Sequence, residues 1–348
     1  MKKKITLISI VALLAIAIVT LVIILVLNGG KEPVDTESAE LKKAKETFDI
    51  RLNQAGDEYY IFGVKPLAKI TDFTLSIPDS VDAIPVTEIH DAIDFARYQE
   101  LNIKIVRLGK NIRYIIGNVK GNDDIHNPYG ENIFQSANTL VRIEVSAENQ
   151  TFASVDGILF SKDLKTLIKY PNGKSAGLNE SSHRYDVPST VTRLYHHAFY
   201  NNRTLESITI GANVEQIGKE ALASCAKLSY VQFDGNVSTI ESGAFASDVS
   251  LVSISLPEGI TSLPRGLFSK CSSLTSLYLP DSLCETGNFS EAVFTGCTSF
   301  AKLDTNQIPV AKVYVSEAYV EKVKEIIAKY TMFNDFTDEQ LSRLVVKK

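Results

Sequence analysis

Few residues of this sequence are spaced for catalysis or for metal binding. The five histidines are scattered along the chain. The adjacent pair His196 and His197 cannot share one face of a strand or a helix, and neither has a partner at a metal-ligand spacing. The sequence also contains neither an H-E-x-x-H zinc motif nor a C-x-x-C pair. We therefore predict that the protein is not an enzyme and that it requires no cofactor.

The densest polar cluster lies within the segment 117–130. Asp123, Asp124 and Asn127 supply oxygen atoms there, and His126 adds a nitrogen. Oxygen ligands of this kind suit Ca²⁺, but the segment lacks the D-x-D-x-D-G order and the closing glutamate of a calcium loop. A solvated surface loop is the simpler interpretation, and we predict no metal site.

Two tyrosines and four small polar residues have spacings that could place them together on one surface. They are Tyr230, Gln232, Ser253, Ser255, Ser276 and Tyr278. Their hydroxyl and amide groups can form hydrogen bonds with peptides or sugars, while the tyrosine rings supply apolar contact area. These six are the candidate binding residues. Whether the six side chains lie close together in the folded protein depends on the secondary-structure elements to which they belong.

Those elements are copies of one repeat. Between Val187 and Leu279, apolar residues recur at intervals of 23 residues, as in the series Phe199, Leu222, Phe245 and Phe268. A period of 23 lies within the range of leucine-rich repeats. Each copy contains an L-x-x-I-x-I segment, whose alternation predicts a short strand with one buried face. Because no copy can bury its own apolar side, successive copies must stack into a solenoid.

Four copies carry a resemblance to a known family. They resemble the BspA-like leucine-rich repeat family of bacterial surface proteins, and their sequences are VPSTVTRLYHHAFYNNRTLESITI, VEQIGKEALASCAKLSYVQF, VSTIESGAFASDVSLVSISLPEGI and LPRGLFSKCSSLTSLYLPDSL. The resemblance combines the period, the A-F pair and the L-P exit from the strand. It extends with less regularity over about residues 57–315. It implies a secreted or surface-attached solenoid that binds other molecules, and it names no ligand.

Stacking should bring the six candidate residues onto one face. In each L-x-x-I-x-I strand the residues between the buried positions point outward, and neighbouring strands lie about 4.8 Å apart. Tyr230 and Tyr278, two turns apart, should then lie within about 10–12 Å of each other. Two interpretations remain open. The face recognises a partner, or its hydroxyl groups merely suit strands that stack in register.

The sequence as a whole predicts a β-rich α/β solenoid with turns of about 23 residues. An N-terminal β cap should close its first turn, and Val313-Tyr314-Val315 should be its last strand. An amphipathic segment followed by a capping box at Thr337 and Gln340 predicts a C-terminal helical cap. The predicted boundaries are 51–315 for the solenoid, about 151–186 for an inserted β-hairpin and 316–348 for the helical cap.

The N-terminal segment predicts a membrane anchor. Residues 5–27 carry no charge, and as a helix they would span roughly 35 Å, enough to cross a bilayer. The three lysines before them should keep residues 1–4 in the cytoplasm. Residues 28–50 then form a polar stalk. We predict a single-pass protein of the cell membrane with its C-terminal domain outside. The alternative is a cleaved signal peptide and a secreted protein.

Composition narrows the possible partners. The formal net charge is −5 and there is no basic patch, which argues against binding to nucleic acid. The four cysteines are too few for a disulfide scaffold, and we expect reduced, small core residues. We therefore predict a membrane-anchored extracellular module for binding or adhesion, with a protein or glycan partner. The alternative is a structural component of the cell envelope with no dedicated ligand.

Overall fold

The computed structural model describes residues 37–65, 68–90, 101–116, 129–130, 134, 137–174 and 183–348. The predicted anchor at 5–27 and the polar cluster Asp123, Asp124, His126 and Asn127 lie outside these residues. None of the helices in the described ranges is long and apolar enough to cross a membrane. The chain divides into a unit of residues 1–42 and a unit of residues 43–348, and the solenoid belongs to the second.

The regular elements are short. The strands are β1 (Phe48–Leu52), β2 (Tyr59–Val64), β3 (Thr74–Ser76), β4 (Ser80–Val81), β5 (Ile84–His90), β6 (Ile105–Leu108), β7 (Tyr114–Ile116), β8 (Arg142–Val145), β9 (Phe152–Val155), β10 (Ile158–Ser161), β11 (Thr166–Lys169), β12 (Arg184–Asp186), β13 (Arg193–Leu194), β14 (Ser207–Ile210), β15 (Gln216–Ile217), β16 (Tyr230–Phe233), β17 (Thr239–Ile240), β18 (Ser253–Ser255), β19 (Ser262–Leu263), β20 (Ser276–Tyr278), β21 (Asn288–Phe289), β22 (Lys312–Val315) and β23 (Val345–Lys347). The α-helices are α1 (Ala39–Thr47), α2 (Asp281–Thr286), α3 (Val320–Ile327) and α4 (Asp338–Leu344).

Each regular turn contributes two strands, which stack into two parallel columns. The L-x-x-I-x-I segments form the long-strand column, in which β12, β14 and β16 pair, as do β18, β20 and β22. The V-x-x-I segments form the short-strand column, which contains β11, β13, β15 and β17. The pairing register keeps equivalent positions of successive turns side by side, as the fixed period requires.

The interior is a continuous stack of equivalent apolar residues. One buried cluster runs from Ile158 to Val345. Within it the ring of Phe268 lies parallel to that of Phe245 at 6.0 Å and to that of Phe294 at 6.3 Å between centroids. Phe268 is therefore buried between the aromatic residues of the two neighbouring turns, a contact that a single turn could not make.

The cysteines occupy the same interior and are free, buried thiols. Cys225, Cys271 and Cys297 each donate a hydrogen bond from Sγ to a backbone carbonyl of the preceding turn, at 3.3, 3.0 and 2.8 Å. Burial raises the pKa of Cys297 to about 12 and that of Cys284 to about 11. The thiols are reduced, small core groups, as the sequence predicted, and three of them also donate hydrogen bonds.

The sheet begins inside the segment predicted to be a stalk. Phe48 and Ile50 are buried in β1, which pairs antiparallel with β2. β2 in turn pairs in parallel with β5. The stalk was predicted to end at residue 50, but the folded unit begins earlier in the sequence. The alternating apolar residues Phe48 and Ile50 already face the core.

The insertion predicted to be a two-stranded hairpin is a three-stranded meander. β9 pairs antiparallel with β10, and β10 pairs antiparallel with β11. Asp156 and Gly157, with φ of 53° and 77°, turn the chain between β9 and β10. Positive φ at both residues is the geometry that Asp-Gly favours in a tight hairpin. β11 and β12, at the end of the predicted insertion, already belong to the two columns.

The C-terminal segment adds a strand as well as helices. Thr337 and Gln340 form the predicted capping box at the start of α4. After α4 the chain returns to the sheet as β23, which pairs in parallel with β22. The segment 313–315 is therefore not the last strand of the column. The prediction failed because β23 has only three residues and follows an apolar helical pattern without a break.

Candidate functional site

The six candidate residues occupy outward positions of the long-strand column. The ladder pairs Ser253 with Ser276 and Ser255 with Tyr278. Tyr230 is 54% exposed, and both serines of β18 are exposed. Gln232, Ser276 and Tyr278 are half-buried. The alternation predicted from the repeat therefore gives the correct strand register.

The long-strand column is interrupted in the middle of this face. In the described chain, β16 belongs to a sheet with β12 and β14, whereas β18 belongs to a sheet with β20, β22 and β23. No ladder joins β16 to β18. The backbone N–H and C=O groups on the two facing edges consequently lack the partners that they have elsewhere in the column.

Two residues that follow β16 differ from the repeat next to the interruption. Asp234 stands where the neighbouring turns have Gly211 and Pro257. Gly235 follows, and a Cβ atom there would lie 2.3 Å from the carbonyl oxygen of Ala212 in the preceding turn. Only glycine permits so close an approach. The chain leaving β16 thus passes very close to the preceding turn.

A groove of about 480 Å³ lies along the interruption. Five of the six candidate residues line it, namely Tyr230, Gln232, Ser253, Ser255 and Tyr278, while Ser276 does not. The lining also includes Val252, Asp234 and Glu258, none of which was predicted. The repeat pattern carried a signal for Val252 and Asp234, since each differs in type from the residues that its neighbouring turns hold at the same position. Glu258 carried no such signal, because the next turn has the acidic Asp281 there.

One side of the groove is ordered by a chain of hydrogen bonds. The Tyr230 hydroxyl donates to Oε1 of Gln232 at 3.4 Å, and Nε2 of Gln232 donates to Oδ1 of Asp234 at 2.6 Å. The second bond is the stronger, since its acceptor is a carboxylate. These contacts orient the exposed tyrosine and leave its ring face open to solvent.

The other side is an aromatic pair that the sequence interpretation missed. The Tyr278 ring stacks on that of Tyr314 at 4.3 Å between centroids and 8° between planes. Tyr314 is the outward residue of β22, so the alternation of Val313, Tyr314 and Val315 could have identified it. Burial raises the pKa of Tyr314, and the Tyr278 ring adds to that effect. Tyr278 is therefore partly covered, in contrast to the fully exposed ring that was expected.

The polar clusters elsewhere have structural roles. His196 Nδ1 lies 3.2 Å from Glu241, and His197 Nε2 lies 3.3 Å from Glu220. Burial lowers the pKa of His197 to about 3, which keeps its imidazole neutral. Among the described residues, no group of three His, Cys, Asp or Glu side chains could hold a metal ion.

Residues 173–177 read G-K-S-A-G, which matches the G-x-S-x-G pattern of a hydrolase nucleophile. That nucleophile requires a sharp turn from a strand directly into a helix. Here β11 ends at Lys169, Ser175 lies outside the described residues, and the next described element is the strand β12. The described strand before the motif therefore ends six residues ahead of Ser175 and does not lead directly into it.

Comparison with known proteins identifies the repeat. Residues 178–307 match six copies of the BspA type leucine rich repeat region. These are BspA-type leucine-rich repeats. The BspA resemblance is thereby confirmed for the most regular part of the solenoid. No curated protein sequence matches the chain.

Solved structures are similar to this chain at low sequence identity. The crystal structure of the pneumococcal vaccine antigen PcpA is 18% identical, with 79% of this chain and 67% of that chain covered and a TM-score of 0.54. A leucine rich cell surface protein from Faecalibacterium prausnitzii is 18% identical over 78% of this chain and 94% of that chain, with a TM-score of 0.42. The Treponema pallidum leucine rich repeat protein is 19% identical over 82% and 96%, with a TM-score of 0.36.

Proposed function

We propose that this chain is a surface-displayed binding module that recognises an extracellular protein or glycan through the groove between β16 and β18. One observation carries the proposal. Tyr230 is a large apolar side chain, 54% exposed, beside a concave surface. The equivalent positions of the neighbouring turns, Ser207, Ser253 and Ser276, are all serine. An exposed aromatic side chain among small polar groups is how many interfaces concentrate their binding energy.

The experiment is a binding screen with the full-length protein in detergent. Glycan and peptide arrays are probed with the wild-type chain and with Tyr230→Ala. A ligand of this face should lose at least about 1–2 kcal/mol of binding free energy with the variant. Ser189→Ala, beside the short-strand column, is the matched control and should bind as the wild type does. If folded wild-type protein binds no array component, a structural role in the envelope becomes the better interpretation.

We also propose that residues 5–27 anchor the module in the cell membrane, because they form a charge-free stretch long enough to span a bilayer. The protein isolated from membranes should keep Met1 or Lys2 at its N terminus. A new N terminus near Gly30 would instead identify a cleaved signal peptide and a secreted module. N-terminal sequencing of the native protein distinguishes these outcomes.

A further inference from the structure

Three residues that break the repeat converge on the groove. Tyr230 replaces the serine of neighbouring turns, Val252 stands where Ser229 and Thr275 stand, and Asp234 stands at a position of glycine or proline. All three line the same groove. In a repeat protein, equivalent positions have the same structural environment in every turn, so folding favours the same residue type at each of them. Departures that meet at one surface therefore point to a requirement other than folding.

The groove has two chemically different ends. Tyr230 and Val252, at the start of the strands, are 54% and 50% exposed and form an apolar end. Asp234 and Glu258, past the end of the strands, form an acidic end. Four residues of extended chain separate Tyr230 from Asp234, which corresponds to roughly 13 Å.

The charged side chains that line the groove are all acidic. Of its sixteen lining residues, all within the described chain, two are carboxylates and none is Lys, Arg or His. Asp234 accepts its hydrogen bond from the neutral amide of Gln232, so its negative charge is not balanced there. Glu258 receives backbone N–H groups of Asp281 and Ser282 at 3.3 and 3.4 Å, which orient it without neutralising it. A cationic ligand group complements this end.

The floor of the groove is backbone. Because β16 and β18 lie side by side without a ladder, the N–H and C=O groups of their facing edges form the floor of the groove. An extended peptide presents matching backbone groups, with alternate side chains on the same side. Residues four apart in such a peptide lie roughly 13 Å apart, the same distance as between the two ends of the groove.

We infer that the groove between β16 and β18 binds an extended peptide segment of a partner protein that carries an apolar side chain and, four residues later, an arginine or lysine. The apolar side chain packs on Tyr230 and Val252. The cationic group pairs with Asp234 and Glu258. This inference rests on the proposed function and specifies the ligand class that the same site takes.

The test uses full-length protein in detergent and the fluorescein-labelled peptide Val-Ser-Gly-Ser-Arg. Fluorescence polarisation should show saturable binding that weakens as salt is raised, because the ionic contact lies at the surface. Replacing the arginine of the peptide with citrulline, which keeps the shape and removes the charge, should weaken binding about two- to fivefold. Asp234→Asn in the protein should have a similar effect. Glu215→Gln removes an exposed carboxylate beside the short-strand column and should have none.

The outcomes separate the two proposals. If the wild-type chain does not bind the peptide, or if citrulline and Asp234→Asn leave the affinity unchanged, the peptide inference is wrong. If a neutral oligosaccharide such as chitotetraose binds instead and Tyr230→Ala abolishes that binding, the proposed function stands with a different ligand. If binding of every array component survives Tyr230→Ala, both proposals fail.

Discussion

At the scale of single residues, Asp248 breaks a column of buried hydrogen-bond donors. The column has Asn202 and Cys225 on one side and Cys271 on the other, at the same position of the repeat. Oδ1 of Asp248 accepts from the Cys225 backbone N–H at 2.8 Å, whereas Oδ2 has no partner. Burial raises the pKa of Asp248 well above its usual value, which favours the protonated carboxyl in the folded protein.

Asp248→Asn should stabilise the protein at pH 8 by about 1–2 kcal/mol. The amide carries no charge to desolvate, and its Nδ2 can donate to the Leu222 carbonyl, as the Cys225 and Cys271 thiols donate to Phe199 and Phe245. In the wild type the unfolded chain releases the Asp248 proton above about pH 4 while the folded chain keeps it. The wild type therefore loses stability as the pH rises, and the advantage of the variant should shrink toward pH 4.

Urea unfolding of both proteins at pH 4 and pH 8 measures this difference, since all other groups titrate alike in the two chains. Asp234→Asn, a surface change of the same chemistry, should leave the free energy of unfolding within about 0.5 kcal/mol of the wild type. A less stable Asp248→Asn variant at pH 8 would mean that the buried carboxyl has a donor or partner beyond the Cys225 amide.

The two candidate tyrosines should respond differently to truncation. Tyr278→Ala removes one ring of the pair with Tyr314 and should cost about 0.5–1.5 kcal/mol beyond the lost apolar burial. Tyr230→Ala should change stability by no more than about 0.5 kcal/mol, because its ring is exposed. Thermal or urea unfolding of the two variants provides the comparison.

A double-mutant cycle with Tyr314→Ala isolates the stacking contribution. The double variant Tyr278→Ala/Tyr314→Ala should lose less stability than the sum of the two single changes. Strict additivity would indicate that the two rings do not interact in solution. A large loss for Tyr230→Ala would mean that this ring is packed rather than available to a ligand.

At the scale of elements, Gly235 positions the groove. Gly235→Ala places a methyl group against the Ala212 backbone, where a Cβ would be 2.3 Å from the carbonyl oxygen. We expect a loss of about 1–3 kcal/mol, the usual cost of overpacking, together with weaker binding of any groove ligand. Circular dichroism during urea unfolding and polarisation with the labelled peptide measure the two effects.

The added variant Ala212→Gly is an internal control for this prediction. The clash is with backbone atoms of residue 212, so removing the Ala212 methyl group should not restore stability. Recovery in the double variant Ala212→Gly/Gly235→Ala would show that the turn can move apart, and that the interruption of the sheet does not depend on the close approach.

The repeat period predicted strand register and the outward face from sequence, because every turn must bury the same side chains. It did not predict the interruption between β16 and β18, because the apolar positions of these two strands follow the same period as those of the joined strands. β23 was missed for a related reason. Three residues that follow a helix carry too short an alternation to distinguish a strand from the last turn of that helix. The stacked pair of Tyr278 and Tyr314 could have been predicted from sequence, since Tyr314 lies on a predicted strand.

At the scale of the whole molecule, the continuous core predicts cooperative unfolding. All four thiols are buried in one cluster that runs from Ile158 to Val345. Native protein should therefore be unreactive toward a thiol reagent at pH 8, because burial raises the pKa of the thiols and so disfavours the reactive thiolate form. As urea is raised, all four thiols should become reactive over the same transition as the loss of circular dichroism.

Early labelling of a subset would contradict this expectation. Turns of a solenoid contact only their neighbours, so one end can in principle open first. Mass spectrometry of the labelled peptides would then identify which turn opens. Labelling confined to Cys284 and Cys297 would mean that the turns next to α3 and α4 unfold separately from the turn that contains Cys225.

The tyrosines at the groove also provide intrinsic spectroscopic signals for ligand binding. The chain contains fourteen tyrosines and no tryptophan, so tyrosine emission is not masked by a stronger fluorophore. Tyr230 is the ring most open to solvent at the groove, and a bound segment would shield it from a soluble quencher. The parallel rings of Tyr278 and Tyr314 are close enough for their electronic transitions to couple, which gives a near-ultraviolet dichroism signal of their own. Binding of a ligand in the groove can therefore be followed on the unlabelled protein by tyrosine fluorescence quenching and near-ultraviolet circular dichroism.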